Sequence, residues 1–168
     1  MSQTQMADTH TTSSISTPAF LSVDNRVPSV LRELVQEADG CQSMNFLTGG
    51  TVCAQRAIHT LLAVEGCEGS SYEARLHSLS QKYPSVPQAL FALCIRLGDT
   101  ATRAGEQPRL DPERLNLLTV ALKIMLYEIY VLGPDRADRL KYLQQLLEAS
   151  EASSGSGRSS TVVAFPNG

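Results

Sequence analysis

The sequence predicts an all-α bundle of five to six helices with disordered N- and C-terminal tails, and three observations carry the all-α reading. Apolar residues recur at three- and four-residue intervals in successive windows, the spacing that gathers them on one side of a helix. No segment of useful length alternates with period two, so no sheet is expected. Leu and Ala dominate a hydrophobic content of 42%, whereas only five Tyr and four Phe are present and Trp is absent. That mixture suits helices and argues against a β-sandwich or an aromatic platform for stacking bases.

Taken in order, residues 1–24 form a Ser/Thr-rich tail without periodicity, and they lack the basic and apolar regions of a secretory signal. A domain is expected over 25–150. Its first helix begins near Pro28, carries Val30, Leu31, Leu34, Val35 and Ala38, and runs to about Leu47, where Gly49-Gly50 breaks it. The second spans about Thr51 to Glu65 and stops at Gly66. The third runs from Tyr72 to about Tyr83, capped by Ser70 or Ser71 and ended by Pro84.

The fourth helix, Val86 to Glu106, opens at Pro87 and places Leu90, Leu93, Cys94, Leu97, Ala101 and Ala104 on one face, widened by Phe91 and Ile95. Asp111-Pro112-Glu113 is the clearest helix start: an acceptor for free N–H groups, a pre-set φ and a charge suited to the dipole. The fifth helix then shows a stripe of Leu115, Leu118, Leu122, Met125, Ile129 and Leu132, and Gly133-Pro134 is its expected stop. A shorter sixth helix, Asp135 to about Ala149, carries Leu140, Leu143, Leu146 and Leu147 behind a charged face, or serves as a dimerising element. Residues 151–168 read as a flexible Gly/Ser-rich tail with an apolar tip, VVAFPNG.

Several function classes recede on composition. The net charge of −3 supplies no broad positive field, so any RNA contact has to be local. The longest apolar run, Leu117 to Leu132, contains Lys123 and Glu128, which disfavours a membrane span; a cytoplasmic protein with no membrane contact is expected. Cys41, Cys53, Cys67 and Cys94 form no C-x-x-C pair, and no His stands at zinc-ligand spacing. They read as small buried hydrophobes, with no metal and no cofactor expected. Neither a glycine-rich phosphate loop nor a defensible Ser/His/Asp order occurs.

The candidate site is the uncovered strip of the fourth helix, where Arg96, Asp99 and Arg103 stand at i, i+3 and i+7 and reach one another. It is either a solvated ion-pair ladder or an anion site for phosphate. Arg56, on the second helix, is a partner for Glu37 or Asp99, or a second anion contact. His77 and His10 belong to no constellation.

The chain also resembles a bacterial family of domains without assigned function that is related to the HEPN superfamily, all-α domains found with restriction, toxin–antitoxin and RNA-cleaving systems. The resemblance covers about Val27 to Leu132. It lies in Pro28 and Glu37-Ala38, in the Cys53 to Leu62 segment around Arg56, in Leu76 to Pro87, and in Tyr130. Its most specific part is Ile95-Arg96-Leu97-Gly98-Asp99-Thr100-Ala101-Thr102-Arg103, where the family tends to read an arginine followed by Gly-Asn-x-Ala-x-His.

In active relatives that arginine and histidine, commonly across a dimer, cleave RNA: imidazole takes the 2′-hydroxyl proton while the guanidinium holds the charge developing on phosphate. Here Arg96 matches, but Arg103 replaces the histidine, and a guanidinium stays protonated. His59 stands where the second helix usually has Glu. The resemblance thus implies a non-catalytic HEPN-like module, homodimeric, binding protein or RNA in a defence or toxin-associated setting. The alternatives are a ribonuclease with His59 as base, and a purely structural oligomerisation domain.

Overall fold

α1 (Ser29–Ser43) and α2 (Leu47–Val64) form an antiparallel pair with the most extensive contact in the molecule. The structure, a computed structural model, describes residues 23–98 and 109–155, with side chains through residue 151. α3 (Tyr72–Lys82), α4 (Gln88–Gly98), α5 (Pro112–Tyr127), a π-helical segment (Glu128–Leu132) and α6 (Gly133–Gly155) complete the described elements. No strand occurs among the described residues, so the all-α bundle stands.

α5 packs against α1, α2 and α4, and α3 packs mainly against α4. Lys123 pairs with Asp39 at 2.6 Å and Asp135 with Arg26 at 2.7 Å, which sets α5 antiparallel to α1. Leu31, Ile58, Leu62, Leu76, Leu118, Leu122 and Met125 are sealed between these helices. Each is worth about 2 kcal/mol relative to exposure, which is what offsets the ordering of so many residues.

The stop signal of α2 and the start signals of α3 and α5 hold at atomic detail. Ser71 accepts from the Ala74 amide at 3.1 Å, Asp111 accepts from the Arg114 amide at 2.9 Å, and Gly66 ends α2 at φ 65°. Asp111→Ala is expected to cost about 1 kcal/mol, read as a lower urea midpoint at unchanged slope.

Two glycine signals mean something other than a break. α1 ends at Ser43, because Asn45 takes φ 59° and the Phe46 amide reaches back to the Cys41 carbonyl at 2.7 Å. Gly49 and Gly50 then lie inside the first turn of α2. A Cβ on Gly49 would sit 3.1 Å from the Cys41 sulfur, and one on Gly50 would sit 2.8 Å from Leu115 Cδ2. They permit close approach of helices rather than ending one.

Gly133-Pro134 likewise fails to stop the fifth helix. The Gly133 amide donates to the Glu128 carbonyl, one residue further back than in an α turn, and the widened turn accommodates the proline. Residues 112–155 are therefore one continuous helical rod. A Cβ at Gly133 would approach the Glu128 carbonyl oxygen to 3.0 Å.

The last half of that rod leaves the bundle. Among the described residues α6 packs against the π segment, and its first turn is tied to Arg26 through Asp135. Leu140, Tyr142, Leu143, Leu146 and Leu147 are 49–63% exposed, so they do not line the bundle core.

The four cysteines are unbridged. Cys67 and Cys94 are buried and Cys41 and Cys53 half-buried; burial lifts the Cys94 thiol to about 12. Cys67 and Cys94 are packing residues, whereas Cys41 and Cys53 are less buried than the sequence suggested.

Candidate functional site

Asp99 and Arg103, two thirds of the candidate strip, lie outside the described residues, as do Ala101 and Ala104. Within α4 the buried side is Phe91, Cys94, Leu97 and Gly98, with Leu90, Leu93 and Ile95 half-buried. Arg96 is exposed and forms no ion pair among the described residues.

His59 sits on the outer side of α2 against Tyr72, ring centroids 5.1 Å apart and planes at 49°. The Tyr72 hydroxyl donates to the Cys94 carbonyl at 3.0 Å and occupies the place that a Cβ on Gly98 would take, with Ile58 Cδ1 beside it. His59 is thereby brought near the C-terminal end of α4. Arg96, however, precedes Gly98 by two residues, so it leaves α4 about 160° away from the side that meets Tyr72. The described contact of His59 is with the Tyr72 ring.

Arg56 is exposed on α2, without an ion pair among the described residues. Of its proposed partners, Glu37 instead accepts from the Cys53 thiol at 3.6 Å. Arg56 and His59 share one exposed face of α2.

The densest polar constellation is one that spacing did not reveal. Glu65, at the C-terminal cap of α2, has a side chain only 8% exposed. One carboxylate oxygen accepts from Tyr130 Oη at 2.5 Å, and the other from Tyr83 Oη at 2.5 Å and Lys82 Nζ at 2.7 Å. Lys82 Nζ also donates to the Glu65 carbonyl at 2.9 Å. Burial opposes the charged carboxylate, yet the bonds from Lys82, Tyr130 and Tyr83 prevail and hold its pKa below the ordinary value.

The two phenols answer in the opposite sense. Burial first, then the Glu65 charge, lifts Tyr83 to about 12 and raises Tyr130 as well, so both remain donors at neutral pH. Every donor points at one acceptor, leaving no poised acid or base. The cluster ties the end of α2 to the end of α3 and to the π segment. It is a clamp.

Comparison with protein-family models, curated proteins and solved structures finds no match to this chain.

One sequence feature does point to the clamp. A glutamate at a helix C-terminus faces the negative end of the dipole. Such a carboxylate needs cations or strong donors nearby. Among the described residues no cluster of three His, Cys, Asp or Glu side chains is arranged to hold a metal ion. The helix Pro112–Glu151 contains a window long and apolar enough to cross a bilayer, but half of that window is buried in the bundle.

Proposed function

We propose that this chain is a non-catalytic, HEPN-like helical module that acts by protein contact, with α6 as its contact element. The observation that supports this reading is α6 itself. A 23-residue helix stands outside the bundle with five large apolar side chains in water, while the core closes without it. Monomeric proteins rarely keep so contiguous an apolar patch unless something binds there. Arg103 at the family's histidine position, and His59 turned toward Tyr72, favour a module without turnover.

The test is RNA cleavage by the purified chain. No cleavage above a buffer control is expected, and Arg96→Ala is expected to behave identically. Reproducible cleavage abolished by that substitution would overturn the reading in favour of a ribonuclease.

A further inference from the structure

The stripe on α6 carries its own statement about what covers it, because its charges are unevenly distributed along its length. We propose that α6 pairs antiparallel with α6 of a second copy of this chain, about a two-fold axis beside Leu143. The proposal rests on the interaction-module reading and names its partner. On a helical projection Leu140, Tyr142, Leu143, Leu146 and Leu147 fall within an arc of about 160°. Arg136 and Arg139 lie on that arc at its N-terminal end; Asp135 lies on it too but is held by Arg26, and Asp138 borders it, so this end keeps only a small positive excess. Glu151 borders it at the far end, with Glu148 one turn earlier on the polar side.

Antiparallel pairing centred between Leu143 and Gln144 sets Leu140 across from the copy's Leu147, and Arg136 across from the copy's Glu151. The arginine end of each helix then meets the glutamate end of the other, and the helix dipoles oppose favourably. Parallel pairing would put arginine beside arginine and glutamate beside glutamate. An isologous contact needs a self-complementary surface, and this charge order supplies one.

The arginines are open to such a partner. Arg136 has only Glu128, 4.0 Å away, and Arg139 has no ion pair among the described residues. The paired stretch from Arg136 to Glu151 is about 24 Å long.

The experiment is sedimentation of the full chain over a range of concentrations, with far-UV circular dichroism to establish that each variant folds. A monomer–dimer equilibrium is expected, weakened about tenfold or more by Leu143→Asp with Leu147→Asp, since central apolar contacts dominate an interface. Arg136→Glu with Arg139→Glu weakens it too, and adding Glu148→Arg with Glu151→Arg restores it. A chain that stays monomeric throughout, or a dimer indifferent to the leucine pair, overturns the proposal. A dimer whose arginine variant is not rescued overturns the antiparallel arrangement. A monomer that is also silent toward RNA removes self-pairing alone and leaves the non-catalytic module in place.

Discussion

Glu65→Ala is expected to be the most destabilising single change in the polar part of this molecule. It leaves the Tyr83 and Tyr130 hydroxyls without their acceptor and Lys82 with the backbone carbonyl alone. Hydrogen bonds to a charged group are worth about 1.5–3 kcal/mol each. Lys82 is half exposed, so its share is small. A loss of about 3 kcal/mol follows, and calorimetry should show Tm lower by about 10 °C. Tyr130→Phe removes one of the three donors and is expected to give about half that effect.

The same cluster fixes a pH dependence. Because the folded-state pKa of Glu65 is depressed, its contribution is fully present above the ordinary glutamate range. It is lost as pH falls through the lower folded-state value. Urea midpoints of the wild type should therefore drop more steeply than those of Glu65→Gln on the acid side of that range. Parallel curves would show that the clamp does not carry the acid sensitivity.

Gly98→Val is the second large effect. A Cβ at this position would clash with the Tyr72 hydroxyl and lie 2.9 Å from its Cζ, with Ile58 Cδ1 at 3.4 Å. Tyr72 has to leave, which breaks its bond to the Cys94 carbonyl and removes the ring that His59 lies against. Overpacking of this kind costs about 3 kcal/mol, several times what valine gains over glycine in helix propensity. Combining it with Tyr72→Ala should be less than additive in a double-mutant cycle, because the smaller residue removes the obstruction. Full additivity would mean that the two positions do not meet.

Helix signals with a local cause were legible in the sequence. Ser71, Asp111 and Gly66 act through atoms within three or four residues of themselves, so spacing alone identifies them. Gly49-Gly50 and Gly133-Pro134 were misread, because each serves something that spacing cannot show. The first pair lets α2 approach Cys41 and Leu115, and the second is absorbed by a wider turn. Glu65 escaped notice for the same reason: its donors arrive from positions 82, 83 and 130, united only by tertiary packing. For the candidate site, the helical placement of Arg96 and Arg56 was legible, whereas the direction in which Arg96 leaves α4 depends on which side of that helix packs.

The π segment also sets the clocking of the arm. Leu140, Leu143 and Leu147 continue, residue for residue, the rhythm of Leu122, Met125 and Ile129, and in an unbroken α-helix they would share one azimuth. One surplus residue in the turn rotates everything downstream by about 100°. The leucines are thus swung sideways from the line that seals the bundle, and a chain shorter by one residue here would aim the same leucines into a different quadrant.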